Sequence, residues 1–240
     1  KNMEILSADY SQIELRVMAH VSGDEGMTDA FRNGEDIHKT TAAKVFGLPL
    51  ADVSREMRRR AKEVNFGIMY GIGPYGLSNR LDLSQVEAKE IITRYFERFP
   101  KVSQYIRDTI AKARNDGYVS TLLGRRRYLP DVRSRNFTVR SNAERQAINM
   151  PIQGTAADMI KIAMIRIHAK LKDAGIGIRM LLQVHDELVF ELAKDSGAGW
   201  AASREKAGKL VIEEMKDALP LSVPVEVEVG TGKNWLEAHT

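Results

Sequence analysis

The sequence has no cysteine among its 240 residues. That absence excludes disulfide bonds, thiolate nucleophiles and cysteine-ligated zinc or iron–sulfur sites. The sequence also has no apolar run near the roughly 18 residues that a membrane span needs, so we expect no membrane partner. No signal-peptide pattern opens the sequence, which favours a cytoplasmic location. What remains is a chain with 43% hydrophobic and 28% charged residues, which is typical of a globular protein with a sizeable core.

The net charge of +4 conceals two regions of opposite sign. Between Arg55 and Arg145 the sequence has 20 basic and 10 acidic side chains, whereas the remainder has 16 and 22. This asymmetry indicates a surface for a polyanion beside a region that could hold cations. The alternative is a set of solvated helix faces, and charge alone leaves both readings open.

Strand-like segments lie near both ends of the sequence, and the patterns between them are mostly helical. Glu4–Ala8 is a short apolar run of the kind that forms a buried strand. Ile178–Val184 and Glu187–Leu192 are β-rich runs separated by His185 and Asp186, which predicts a hairpin. Strands at both ends of a helical middle region predict an α+β fold.

Capping and breaking residues mark the ends of the predicted helices. Ser54 is a suitable N-cap for a helix that extends to about Met69. Ser84 followed by Glu87 forms a capping-box pattern at the start of another helix. Pro151 and Gly154 predict a break between two later helices.

Two aspartates, Asp9 and Asp186, each lie where a short apolar strand ends or turns. If those strands are neighbours in one sheet, the two carboxylates converge at its edge. Hard divalent ions such as Mg²⁺ take carboxylate oxygen ligands, and a pair of such ions can assist phosphoryl transfer. A strand-end aspartate is also a common turn residue. A histidine–aspartate phosphohydrolase is disfavoured, because the other histidines have no recognisable metal-binding spacing.

The predicted helix after Ser54 presents a repeating stripe of cations and aromatic rings. Its members recur every four residues and so share one helix face: Arg58, Lys62, Phe66 and Tyr70. Cations could contact the phosphates of a nucleoside triphosphate, and a ring could stack on its base. The alternative is a basic amphipathic helix whose aromatic end packs in the core.

Basic and amide side chains farther along the sequence are suited to a nucleic-acid backbone and to base edges. The basic cluster includes Arg125, Arg126, Arg127, Arg133, Arg135 and Arg140, and it could follow a phosphate backbone. Arg145, Asn149 and Gln153 lie near the predicted helix break, where polar side chains could reach a base edge or a minor groove.

Together these stretches resemble family A DNA polymerases, of the bacterial DNA polymerase I type. The segment from Asp9 to Arg16, DYSQIELR, is similar to the first palm motif of the family. Arg58, Lys62, Phe66, Tyr70 and Gly71 match its fingers-helix pattern. His185-Asp186-Glu187, after LLQV, is similar to its last palm motif. The similarity includes essentially the whole sequence.

The resemblance implies a role for each matching residue. The catalytic residues are Asp9, Asp186 and Glu187. Two Mg²⁺ ions are held by Asp9 and Asp186 with the carbonyl of Tyr10. The incoming deoxynucleotide is bound by Gln12, Glu14, His38, Arg58, Lys62, Phe66 and Tyr70, with Glu14 acting as a gate against a 2′-hydroxyl. The primer–template DNA is contacted by Arg127, Arg145, Asn149, Gln153 and His185.

The resemblance also implies a fold, an activity and partners. We expect a palm with an antiparallel sheet over residues 1–22 and 141–240, and an inserted, mostly helical fingers subdomain over residues 23–140. The implied activity is template-directed addition of deoxynucleotides to a primer 3′-hydroxyl, at the bacterial nucleoid. The family places a thumb before the first motif, so we expect an upstream thumb-containing segment of the same protein.

Two other readings stay open. One is a DNA-binding fragment with weak or lost catalysis that needs an upstream polypeptide. The other is an RNA polymerase or reverse transcriptase with the same palm chemistry.

Overall fold

The structure is a computed structural model that describes residues 3–173, 177–193 and 200–239. It combines antiparallel sheets with many helices, so the α+β prediction is confirmed. The strands are β1 (Met3–Tyr10), β2 (Tyr118–Ser120), β3 (Arg126–Tyr128), β4 (Ile178–Val184), β5 (Glu187–Ala193) and β6 (Val227–Gly232). The helices are α1 (Ile13–Ser22), α2 (Glu25–Arg32), α3 (Ile37–Phe46), α4 (Arg55–Met69), α5 (Pro74–Leu81), α6 (Gln85–Arg98), α7 (Pro100–Asp116), α8 (Phe137–Asp173) and α9 (Trp200–Lys216).

The chain divides into two compact units. The sheet unit consists of residues 1–13, 156–220 and 225–240, and the helical unit of residues 14–155 and 221–224. Assignment of these parts to a palm and a fingers subdomain stays a prediction. Within the described ranges, every helix is too short or too polar to cross a membrane.

The sheet unit is organised around β1, which lies inside a four-stranded antiparallel sheet of order β4-β5-β1-β6. Its apolar side chains supply the core of this unit, and Leu6 and Ala8 are fully buried. On the next strand, Leu188 and Phe190 are also fully buried. Helix α9 packs its apolar side near this sheet, and the hydroxyl of Tyr10 donates to the carbonyl of Met215 at 2.6 Å. Burial of β1 between two partners fixes the position of its C-terminal end.

The helical unit positions α4 by capping and by close packing. The Ser54 side chain accepts a hydrogen bond from the backbone of Met57, as predicted for an N-cap. The predicted capping box of Ser84 and Glu87 is also present. At the other end of α4, Gly71 adopts a φ of +69°, and a Cβ there would lie 2.9 Å from the Arg145 Cγ. A larger residue at this turn would be strained by its φ and would displace the Arg145 side chain.

The predicted helix break at Pro151 and Gly154 is wrong, because α8 continues through both residues. Proline removes only one backbone donor from a helix, and the turn that follows gains an extra hydrogen bond, from the Thr155 hydroxyl to the Pro151 carbonyl at 2.6 Å. Gly154 does not end the helix; its lack of a side chain allows Thr121 to pack closely against it. A Cβ on Gly154 would lie 2.6 Å from the Thr121 Cγ2.

Candidate functional site

The sheet brings Asp9 and Asp186 together, as the strand-end pattern predicted. Asp9 lies opposite Glu187 in the pairing of β1 with β5. The next backbone amide, that of Tyr10, donates to the carbonyl of Asp186 at 3.2 Å. Antiparallel pairing therefore sets the end of β1 beside the β4–β5 turn, although the two aspartates are far apart in sequence.

Both carboxylates lie in surroundings that disfavour their charged forms. Burial, followed by the nearby charges of Asp186, Glu187 and Glu228, raises the pKa of Asp9 to about 6. Burial is also the largest cause of the raised pKa of Asp186. Bringing carboxylates close together in a partly dry site costs free energy unless a proton or a cation compensates.

The Asp9 carboxylate has an unused acceptor that fits a cation. Its Oδ1 atom is buried and has no hydrogen-bond partner in the described part of the chain. A hard divalent ion takes such oxygens as ligands and would relieve the repulsion around them. The residues present therefore fit Mg²⁺. Among the described residues, the side chains of His, Asp and Glu form no ready-made group of three or more that could hold a metal. A site of two carboxylates thus needs oxygens from elsewhere, such as a backbone carbonyl or phosphate.

Two non-glycine residues in left-handed backbone conformation follow the strands that carry these aspartates. Gln12 has a φ of 54° just after β1, and His185 has a φ of 55° between β4 and β5. Such conformations are uncommon outside glycine and cluster at functional turns. Gln12 lies three positions after Asp9 and His185 immediately precedes Asp186, so both strained residues belong to the turns beside these carboxylates.

Three side chains that sequence reasoning missed contact the carboxylate of Glu187. Its Oε1 accepts hydrogen bonds from the Ser7 hydroxyl at 2.5 Å and from the Trp235 indole N–H at 2.8 Å. The Nε2 of His239 lies 3.2 Å from the same oxygen. A hydrogen bond to the Trp235 carbonyl, with the charges of Glu187 and Asp9, raises the pKa of His239.

The glycines of β6 are a sequence signal for this C-terminal contact. The turn Glu237–His239 lies against Gly230 and Gly232. A Cβ on Gly230 would overlap the Ala238 carbonyl, and one on Gly232 would lie 2.5 Å from the Glu237 Cβ. These glycines let the final turn approach the strand and carry Trp235 and His239 to Glu187.

In the helical unit, the predicted stripe of α4 meets side chains from α1 and α3. The Phe66 and Tyr70 rings are stacked with centroids 6.2 Å apart, and the His38 ring lies 5.8 Å from Phe66. The Tyr70 hydroxyl donates to the Glu14 Oε2 at 2.6 Å. This contact ties Tyr70 to Glu14, the residue that the resemblance implies as a gate against a 2′-hydroxyl.

The cations at the other end of this stripe act on the charge state of His38. Arg58 Nε donates to the Asp36 carboxylate at 2.6 Å. Burial, and then the charges of Arg58 and Lys62 against that of Asp36, lower the pKa of His38 to about 4. The face therefore presents two cations and a neutral imidazole, which is suited to an anion.

The predicted DNA-contact residues in the helical unit lie on or near α8. Arg145, Asn149 and Gln153 recur every four residues on this continuous helix, so they share one face. The Oδ1 of Asn149 is buried without a hydrogen-bond partner among the described residues. Arg127 donates to the Gln146 side chain at 2.9 Å. An orphan amide oxygen and exposed arginines are suited to a polar ligand, but their role stays a prediction.

Comparison with known proteins gives one consistent family. A family model described as DNA polymerase family A matches residues 1–237. DNA polymerase I of Mycobacterium bovis is 51% identical over 232 residues, which are 97% of this chain and 25% of that protein. The thermostable DNA polymerase I of Thermus filiformis is 54% identical over 234 residues, which are 98% of this chain and 27% of that protein.

A solved structure agrees with these sequence matches. It is the POL domain of Pol1 from M. smegmatis in complex with DNA primer-template and dNTP. The TM-score is 0.93 at 49% identity, and the match covers 99% of this chain and 41% of that one. This chain spans about a quarter of the length of the curated relatives it matches.

Proposed function

The chain belongs to DNA polymerase family A, and from that premise we propose that it supplies the metal-binding and nucleotide-binding side chains of a template-directed DNA polymerase. The reaction adds a deoxynucleotide to the 3′-hydroxyl of a primer paired with a template. The observation that carries this proposal is the pair of partly buried carboxylates, Asp9 and Asp186, with an orphan oxygen at the end of β1. The site would act at the bacterial nucleoid, where its DNA substrate lies.

Asp9, Asp186 and the Tyr10 carbonyl are the proposed ligands of two Mg²⁺ ions. When bound, the ions would stabilise the attacking and leaving oxygens of the phosphoryl transfer. The protein's own part is to hold the two carboxylates in place before any ligand arrives. Glu187 supports them from the neighbouring strand position, fixed by the Ser7 and Trp235 donors.

The α4 face is the proposed site of the incoming nucleotide. Arg58 and Lys62 bind triphosphate oxygens, since charge-assisted hydrogen bonds are about twice as strong as neutral ones. Phe66 packs on the base and sugar, and Tyr70 lies beside the nascent base pair. The hydrogen bond between Tyr70 and Glu14 supports a gate that leaves no room for a 2′-hydroxyl. This favours deoxynucleotides over the ribonucleotides of an RNA polymerase.

Primer–template DNA is the proposed macromolecular partner. Arg127, Arg145, Asn149, Gln153 and His185 are its proposed contacts in this chain. An upstream thumb-containing segment is proposed to supply further grip. Phosphate contacts alone give weak binding that declines steeply with salt. We therefore expect this chain by itself to bind DNA weakly and to extend primers slowly or not at all.

The experiment is primer extension by a chimera in which this chain replaces the matching 232-residue segment of the M. bovis relative. The chimera is compared with this chain alone at low and at moderate salt. We expect extension by the chimera, with deoxynucleotides preferred, and little or none by the chain alone. A folded chimera without extension would refute the proposed function. Processive synthesis by the chain alone at moderate salt would refute its dependence on an upstream segment.

A further inference from the structure

A buried hydrogen-bond chain links α3 to α4 through three side chains. Thr41 Oγ1 donates to Asn65 Oδ1 at 3.1 Å, and Asn65 Nδ2 lies 3.0 Å from His38 Nδ1. Thr41, Asn65 and His38 are only 0%, 1% and 2% exposed. Water therefore has little access to the contacts that join these three side chains. Each buried polar atom depends on the next one for its hydrogen bond.

The donor-to-acceptor direction of these hydrogen bonds decides which ring nitrogen of His38 carries the proton. An amide nitrogen can only donate, so Asn65 Nδ2 requires His38 Nδ1 to be an acceptor. A neutral imidazole whose Nδ1 accepts must carry its hydrogen on Nε2. The contact with Asn65 uses Nδ1 and so leaves the Nε2 hydrogen available to a ligand.

The charges around His38 keep the ring neutral. Burial is the largest cause of its low pKa, and Arg58 and Lys62 of α4 add to it, while Asp36 at the start of α3 opposes them. Burial and the two cations prevail, so the ring is uncharged throughout the neutral range. A neutral ring without a fixed neighbour could adopt either tautomer, and one of the two would turn a lone pair outward from Nε2.

We propose that Asn65 is a positioning residue that fixes His38 in the Nε2–H tautomer, so that an uncharged histidine donates a hydrogen bond to a phosphate oxygen. The phosphate part rests on the proposed function. His38 thus differs from Arg58 and Lys62: it adds a directed donor to the triphosphate face without a third positive charge. Its contribution is independent of pH across the neutral range, which an ordinary histidine would not provide.

The first test reads the tautomer directly by ¹⁵N NMR of the histidine rings in the 240-residue chain, assigned with His38→Gln. We expect a protonated Nε2 and an unprotonated Nδ1 on His38, unchanged from pH 5.5 to 8. In Asn65→Asp the carboxylate forces a hydrogen onto Nδ1, so the ring should titrate near neutral pH. Thr41→Val, which removes the donor to Asn65, should give a mixture of tautomers. A hydrogen on Nδ1 in the unaltered chain would overturn the proposal.

The second test adds inorganic tripolyphosphate to the same samples. We expect the Nε2–H signal of His38 to shift in the unaltered chain. An unmoved His38 signal at saturating tripolyphosphate would overturn the phosphate role. This test needs no polymerase activity, so it can fail or succeed separately from the proposed function.

The third test uses the chimera and the pH dependence of the deoxynucleotide KM. The control is Asn79→Asp, which adds the same charge at an exposed position. In the parent and in this control, the KM should change little, and equally, from pH 6 to 8. In Asn65→Asp the KM should rise about tenfold as pH increases, the scale of one hydrogen bond to a charged group. The double variant with His38→Gln should lose that dependence. A pH profile of Asn65→Asp that matches the control would refute the positioning role.

Discussion

In the sheet unit, acidic side chains from distant strands converge, whereas in the helical unit basic and aromatic side chains follow one helix. The environment acts in opposite directions on the two sets. It raises the pKa of Asp9 to about 6 and lowers that of His38 to about 4. Burial is the largest cause of both shifts. Neighbouring negative charges add to the first, and the positive charges of Arg58 and Lys62 add to the second. The crowded carboxylates of the sheet unit favour a proton or a cation, whereas the cationic face of the helical unit favours an anion.

The largest expected effect comes from removing a carboxylate of the sheet unit. In the chimera, Asp186→Asn should reduce single-turnover extension by about 10³-fold or more, at the upper end of the effect of losing one electrostatic catalytic group. The matched control is Glu228→Gln, an exposed carboxylate opposite Asp9 in the β1–β6 register. It should change the rate by only a few fold. Near-normal extension by folded Asp186→Asn would show that the Asp186 carboxylate is not needed for the reaction.

The next effect tests the helical unit. Lys62→Ala should raise the deoxynucleotide KM by roughly 10–100-fold, because a charge-assisted contact to phosphate is lost. The control is Arg59→Ala on the same helix, whose guanidinium is paired with Glu56 at 2.6 Å. Steady-state kinetics should show little change in the control. If Lys62→Ala lowered only DNA affinity, with nucleotide kinetics intact, α4 would be a DNA surface.

A smaller effect concerns the choice of sugar. Glu14→Ala removes the acceptor of the Tyr70 hydroxyl and opens the space assigned to a 2′-hydroxyl. The ratio of kcat/KM for ribonucleotides to that for deoxynucleotides should rise about tenfold or more. Tyr70→Phe, which keeps the ring but loses the hydrogen bond, should give an intermediate ratio. An unchanged ratio in Glu14→Ala would contradict the gate.

The smallest effect is one of stability and needs no DNA. The folded-state pKa of Asp9, about 6 against an ordinary 3.8, means that the folded chain binds this proton more tightly than the unfolded chain does. Stability therefore falls as pH rises from about 4 to 6 and stays lower above that range. Asp9→Asn should raise the Tm by a few degrees at pH 7.5 and by nothing at pH 4.

Added Mg²⁺ provides the second half of this measurement. It should raise the Tm of the parent chain at pH 7.5, because a cation compensates the clustered carboxylates. The Tm of Asp9→Asn should rise much less on addition of Mg²⁺. Equal Mg²⁺ responses in the two chains would mean that the ion binds elsewhere.

Much of the helical unit could be predicted from sequence because its signals are local. The four-residue spacing of Arg58 and Tyr70 sets a shared face, and Ser54 and Ser84 mark helix starts through contacts three residues away. The hairpin of β4 and β5 was predictable for the same reason.

What the sequence did not disclose depends on contacts between distant segments. The donors Ser7, Trp235 and His239 reach Glu187 only because β1 and the C-terminal turn both lie beside β5 or β6. Gly154 resembled a helix breaker, but it is a packing site against Thr121. Local propensity cannot separate these alternatives, because the deciding neighbour is remote in sequence.

The central position of β1 also sets an order of events during synthesis. Met3–Tyr10 pairs only with Glu187–Ala193 and Val227–Gly232 among the described strands. At about 5–20 residues per second, a ribosome needs roughly 10–40 s to make the first of these partners after β1. Residues 14–155, the larger part of the helical unit, can fold in the meantime. Both sheet partners of the strand that carries Asp9 are therefore made later than the strand itself, and until then its edges are open to pairing with a neighbouring chain.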